Sequence, residues 1–283
     1  MEQRLILRGL ASGALGGLLA SVFARILAEP VIQRAIDYEN GRDAASNALR
    51  RGAGLAAATR DPELFTRGVQ RNIGLGVGIV LFGVAVGGLF AVAYILVARA
   101  MRPRVAPRTL ALAIGAAGFA GVFLLPFLKY PANPPGIGHA DTIHARGLLY
   151  LAMVAISLVL VLSVVLVARR LRPRLGGWNA TLAALVLLVA CLAIVIAILP
   201  PLGHLHANRV QFDTLASETP QPLHDRSGAI VYPGFPADVL FQFRLYAVLA
   251  QAILWGTIAV MFGALAERLI PMALRGEAQR IVA

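Results

Sequence analysis

The chain has 283 residues, 58% of them hydrophobic and 14% charged, with a formal net charge of +12. A soluble globular domain carries roughly 45–50% apolar and about 25% charged residues. The balance here, with a mean hydropathy of +0.75, excludes that class and predicts an all-α polytopic membrane protein. The positive charge does not mark a nucleic-acid groove, because the basic residues lie in short segments between apolar runs, where they set topology. A single cysteine, Cys191, excludes an intrachain disulfide.

Six apolar runs are long enough to cross about 30 Å of hydrocarbon as helices: residues 9–28, 73–98, 109–128, 147–168, 179–199 and 245–266. Five spans is the alternative count, and the chain reads as one membrane-embedded domain over 1–283. Arg4 and Arg8 ahead of the first run resemble a secretory leader. However, Arg25 interrupts the end of that run and no small-x-small cleavage site follows, so a retained helix is expected.

Two short loops carry dense positive charge: Arg99, Arg102, Arg104 and Arg108 in one, and Arg169, Arg170, Arg172 and Arg174 in the other. The excess of arginine predicts that both are cytoplasmic, and with six spans both termini are too. Residues 29–72, 129–146 and 200–244 then face outward, and that side holds eleven of the fourteen acids. The alternation of Ala, Arg and acidic residues from 30 to 51 predicts an amphipathic helix lying on the membrane surface. Pro30 is expected to end the first helix just beyond an Arg25–Glu29 pair.

Small residues recur every four positions at Gly9, Gly13, Gly17 and Ser21, and again at Gly74 with Gly78 and Gly83 with Gly87. That spacing lets backbones approach closely, so the first two helices are expected to pack together. The fourth and fifth runs, rich in Val and Leu, are expected to face lipid.

No acidic side chain lies deep within any span, which directs attention to the helix ends. Glu29 closes the first run. The stretch FLLPFLKYPANPPGIG, residues 123–138, places Pro126 within the last turns of the third run and frees carbonyls there. Irregular backbone at membrane depth is tolerated only inside protein or beside a water-filled cavity. Tyr130 and Asn133 could replace part of a cation's hydration shell, whereas Lys129 opposes a cation unless paired. His139, Asp141 and His144 supply imidazole and carboxylate suited to cobalt, nickel or zinc, provided a loop gathers them. His204 and His206 would share a face in an extended segment. Asp238 can cap the last helix, and Arg244 and Gln251 fall on one face of it, with Gln251 among the few polar groups inside a span. Nucleotide-binding, HExxH and nucleophile-elbow motifs are all missing, and no residue is assigned as catalytic.

The segments ILRGLASGALGGLLASVFARILAEP with AIDYE, PFLKYPANPPGIG with DTIHAR and Tyr150, and GFPADVLFQFR with Gln251 and Trp255 together resemble the CbtA family of predicted cobalt transporter subunits. The resemblance implies a multi-pass protein of the bacterial inner membrane that takes part in cobalt uptake for cobalamin synthesis. It also implies a small, single-span, histidine-bearing partner subunit of the CbtB-like kind. Cobalt would be the transported ion, with no permanently bound cofactor. On this basis the metal-contacting candidates are His139, Asp141, His144, His204 and His206, and the path or gate candidates are Glu29, Pro126, Lys129, Tyr130, Asn133, Arg244 and Gln251. The competing expectations are a non-transporting scaffold or assembly subunit, and a membrane enzyme acting on lipid substrates.

Overall fold

The computed structural model describes residues 1–57, 66–101, 105–212 and 217–282. Arg102 and Arg104 of the first basic loop, Asp61, Glu63 and Asp213 lie outside these residues. The chain forms an all-α polytopic membrane protein. Five helical stretches are long and apolar enough to cross a membrane: Glu2–Gly52, Arg67–Ala100, Pro107–Lys129, Ala140–His204 and Ala237–Leu269.

The fourth stretch contains both the fourth and fifth apolar runs. Its helix α7, Ile143–Ile198, breaks at Gly176, where φ is 75° and ψ is 172°, a left-handed conformation open to glycine and costly for other residues. Met153 and Leu192 belong to one buried cluster. An unbroken helix would hold them roughly 60 Å apart at 1.5 Å per residue. The two arms therefore fold back on each other, and each is long enough to span. Arg169, Arg170, Arg172 and Arg174 sit at the turn. Most of both arms is exposed, as expected of lipid-facing helices, with an inner stripe of Met153, Ser157, Ala180, Ala184 and Leu192.

Two compact units make up the chain: Met1–Leu27, Phe65–Phe119 and Val248–Ala283 in the first, and Ala28–Leu64 and Ala120–Ala247 in the second. In the first unit, α1 (Glu2–Phe23) packs along α4 (Leu75–Met101). The expected glycine contact is present and close. A Cβ on Gly13 would stand 2.1 Å from the carbonyl oxygen of Gly83, and one on Gly9 2.4 Å from that of Gly87. Lipid supplies no hydrophobic drive for helix association, so this backbone proximity and its dispersion contacts hold the pair. Gly74 and Gly78 take no part, since nothing lies within 4 Å of a Cβ on Gly78 and only Val69 O, at 3.8 Å, approaches one on Gly74. The core of this unit adds Phe90 and Tyr94 edge-on to Phe262 of α9 (Ala237–Val282). Polar anchors sit at the helix ends, with Arg99 paired to Glu2, Arg108 to Glu267, and Arg8 donating to Leu265 O.

Pro30 does not end the first helix. A π-helical segment, Ala24–Ala28, leads directly into α2, Glu29–Gly52, with Pro30 in its first turn. The same device recurs before Pro126, where the π segment Phe119–Leu124 follows α5, Pro107–Gly118, and precedes α6, Leu125–Lys129. A π segment shifts the hydrogen-bond ladder, and the first turn after it does not require the N–H that proline lacks. A third π segment, Gln70–Gly74, joins α3 (Arg67–Val69) to α4.

The prediction of a surface-lying helix over 30–51 also needs correction. The apolar face of α2, Val31, Ala35 and Tyr38, is buried against Ile137, Phe235 and Val239 of the second unit. Tyr38 stacks edge-on with Phe235 at 4.8 Å and donates to Pro233 O at 3.0 Å, while Arg42 donates to Gln221 O at 2.7 Å. The amphipathic pattern was real, but protein covers its apolar face.

The remaining elements of this unit are short. A 3-10 turn, Ala140–Thr142, precedes α7; a second, Leu202–His204, precedes α8, His206–Phe212. A two-stranded hairpin, β1 (Leu223–His224) and β2 (Ile230–Tyr232), leads into α9. At the hairpin tip Asp225 accepts hydrogen bonds from Ser227 Oγ, Ser227 N and Ala229 N at 2.6, 2.8 and 3.0 Å. These bonds, the Ser227 side chain's first, hold its carboxyl below the ordinary range.

Candidate functional site

The segment 130–138 is fixed at one end by the helix it leaves and at the other by the 200–244 connection. Tyr130 N donates to Pro126 O at 2.8 Å, and the carbonyl four residues before the proline, that of Val122, accepts from the Tyr150 hydroxyl at 3.4 Å. Tyr130 is buried and its hydroxyl donates to Pro200 O at 3.0 Å. Lys129 Nζ donates to Ile196 O at 2.8 Å, near the C-terminal end of α7, and lies over the Tyr130 ring. Its partner is thus a backbone carbonyl of a helix's last turn, a favourable place for a cation.

Asn133 is the hinge point of a polar network. Its Nδ2 donates to Glu218 Oε2 at 2.9 Å, and its Oδ1 accepts from Arg244 Nη2 at 2.9 Å. Arg244 Nε also donates to Ala132 O at 3.3 Å. Glu218 is nearly buried, with 12% of its side chain exposed, and its Oε1 faces Arg146 Nε at 3.5 Å. That oxygen is buried and makes no hydrogen bond, so only the ion pair compensates its desolvation. The segment is clamped further by Gly138, whose N–H donates to Glu218 O at 3.0 Å. Gly138 has a φ of 84°, and a Cβ there would lie 2.6 Å from Arg146 Nη1. The positive φ favours glycine at this position. Next in line, His139 N donates to Oδ1 of the fully buried Asn208, whose Nδ2 bonds Leu202 O at 2.9 Å.

Beneath this network is a cavity of about 390 Å³. Phe123, Phe127, Tyr130 and Tyr150 supply its aromatic wall, Ile143 and Leu202 close it, and Asn133 and Arg146 place polar groups on its rim. Phe123 belongs to the π segment before Pro126, so the irregular helix end shapes the cavity.

The structure joins some predicted residues and separates others. Asn133 and Arg244 meet directly, and Tyr130, which lines the cavity, donates its N–H to Pro126 O. Glu29 is buried in the second unit, 3% exposed. Arg25 donates to Asn72 Oδ1 at 3.1 Å. Gln251 is half-buried in the first unit, two turns beyond Arg244 on α9. Asp238 stands in the first turn of α9 and pairs with Arg34 at 3.1 Å.

The histidines are not gathered. No group of three His, Cys, Asp or Glu side chains able to hold a metal occurs among the described residues. His139 Nδ1 instead accepts from Asp141 N at 3.2 Å, capping the 3-10 turn. His144 is exposed in the first turn of α7, and His204 and His206 are exposed. These last two occupy a 3-10 turn and the start of α8 rather than an extended segment. Sequence reasoning missed Glu218, Arg146 and Asn208. Their types are ordinary in loops, and the only available signal was that Glu218 is one of few acids in the long 200–244 connection.

The family model described as probable cobalt transporter subunit (CbtA) matches residues 2–267, nearly the whole chain. The chain belongs to the CbtA family. Comparisons with curated proteins and with solved structures found no match. CbtA membership makes this multi-pass protein a subunit of a cobalt transporter, with further subunits implied, and the segment 123–138, Arg146, Glu218 and Arg244 all fall within the matched region.

Proposed function

We propose that the chain is the membrane subunit of a divalent-metal uptake system, with cobalt as the transported ion and cobalamin synthesis as its destination, in the inner membrane of a bacterium. The observation that carries this is the family match over residues 2–267 on a chain with five membrane-length apolar helices. In this reading the 129–138 segment is the entry gate. Support comes from the clamp on Asn133 by Glu218 and Arg244 and from the cavity it covers. Lys129, Arg146 and Arg244 bring three cations to the residues around the Glu218 carboxylate, so a dication would meet opposing charge there until the clamp is rearranged. A small, single-span, histidine-bearing CbtB-like partner would supply ligands and trigger that rearrangement. Glu29, Gln251, His139, Asp141, His144, His204 and His206 remain candidates for the path on either side of the gate.

The test is uptake of labelled cobalt by cells or proteoliposomes holding this chain alone and with the partner, compared with nickel and zinc. Cobalt accumulation only with the partner present is the expected result; no uptake in either preparation removes the proposal.

One observation favours the scaffold reading as a second possibility. Asn133, Arg244 and one oxygen of Glu218 pair with one another, as they would in a purely structural joint. A scaffold would leave uptake intact when Asn133 is replaced by alanine in a chain that still folds, whereas a gate would change its rate.

A further inference from the structure

Two of the three π-helical segments flank the same small pocket in the first unit. Ala24–Ala28 carries Arg25 and Gln70–Gly74 carries Arg71, and both arginines line a pocket of about 260 Å³. Asn72 belongs to the same wall and holds the Arg25 guanidinium through the 3.1 Å bond to its Oδ1. No carboxylate is among the described residues that line the pocket. The remaining wall includes Val22, Ile26 and Leu75, of which Val22 is 49% and Ile26 65% exposed. In a membrane-spanning helix such side chains face acyl chains.

π segments inside α-helices are frequent at functional sites, and here two of them bring an arginine each to one pocket. Two guanidiniums at the end of an apolar groove, with no acid among the described lining residues, suit a phosphate oxyanion, which a guanidinium binds in a bidentate fork. The groove continues into lipid-facing surface, so the anion would arrive with hydrocarbon attached. Its volume falls below the roughly 300–1,000 Å³ of pockets that enclose a whole drug-sized ligand. It accommodates a head group and leaves the tails in the bilayer. Basic pockets between membrane helices recognise anionic lipids by this chemistry.

We propose that Arg25 and Arg71 form a binding site for the phosphate of an anionic phospholipid, seated between the two π segments. Its lining shares no residue with the cavity at the proposed gate.

The experiment titrates the purified full chain in nonionic detergent with dioleoylphosphatidylglycerol, with dioleoylglycerol and with inorganic phosphate. Retained adducts are read by native mass spectrometry, and Tm is read in parallel. Phosphatidylglycerol should give a retained adduct and raise Tm, and dioleoylglycerol should do neither. The double variant Arg25→Gln/Arg71→Gln should weaken retention at least tenfold, while Arg169→Gln/Arg170→Gln retains the lipid as the parent does. Equal adducts from dioleoylglycerol, or unchanged retention in the first double variant, would overturn the site. A Tm rise from inorganic phosphate equal to that from the lipid would overturn the lipid as its source. Should the first variant not fold, a photoactivatable phosphatidylglycerol on the parent chain decides: labelling of residues 21–26 or 71–76 supports the site, and labelling confined elsewhere removes it.

Discussion

The contact between α1 and α4 and the clamp over the 130–138 segment are both tight, and they achieve it by opposite means. In the first, side chains are removed: Gly9 and Gly13 face Gly87 and Gly83 backbone to backbone, and the contact has almost nothing to rearrange. In the second, side chains are added: Asn133, Glu218, Arg146 and Arg244 hold loop, helix and connection together through charge and hydrogen bonds. A packed glycine seam has one arrangement. A polar network can exchange partners, with water or an ion replacing a bond at small net cost. The comparison sets a close-packed helix pair in the first unit against a hydrogen-bonded polar network in the second, where the proposed gate lies.

Breaking the seam should have the largest effect. Gly13→Leu puts a branched side chain where even a Cβ lies 2.1 Å from Gly83 O, and it should abolish the folded form, read as loss of a monodisperse peak in detergent chromatography. Gly83→Ala should cost about 2–3 kcal/mol through overpacking, measured by denaturant or thermal unfolding. An unchanged midpoint would mean that the seam is not tight.

At the mouth, Glu218→Ala strips the carboxylate from Arg146 and Asn133 and should cost about 3 kcal/mol, the range for breaking a largely buried pair. Glu218→Gln should cost less, because the amide can keep the Asn133 contact. Equal losses for the two would show that shape, not charge, holds the segment.

Asn133→Ala removes one bond to Glu218 and one to Arg244, at about 1–3 kcal/mol, and should change the rate of cobalt uptake more than the stability explains. Tyr130→Phe deletes only the bond to Pro200 O, so a loss near 1 kcal/mol is expected, and uptake should persist.

The smallest effect concerns the hairpin tip. Asp225 has a folded-state pKa depressed below its ordinary 3.8. Its contribution is complete above that unfolded value and disappears as pH falls through the lower folded one. Asp225→Asn should flatten this acid-limb dependence while leaving neutral stability near that of the parent. A persistent limb would place the titration elsewhere.

Much of the architecture was legible because membranes impose strong local rules. Apolar length predicted long membrane-competent helices, of which five stretches are found, and four-residue glycine spacing predicted the α1–α4 contact at Gly9, Gly13, Gly83 and Gly87. The same spacing at Gly74 and Gly78 misled, since periodicity shows that a face is smooth but not that anything covers it. Pro30 and Pro126 were recognisable as irregularities. The π segments that absorb them were not, because a shift in backbone hydrogen bonding leaves no mark on side-chain type.

The candidate site was only half visible. Asn133 and Arg244 stood out by their position at helix ends, but Glu218 and Arg146 did not, because the network draws on four segments separated by up to 111 positions in the chain. Sequence alone determined the membrane class and the family, since these rest on composition and local pattern. Tertiary structure decided which polar groups meet: it spent Lys129 on a carbonyl, turned His139 into a cap and gave Asn133 its two charged partners. Those choices depend on where distant backbones come to lie, and side-chain identity along one strand of sequence does not encode that.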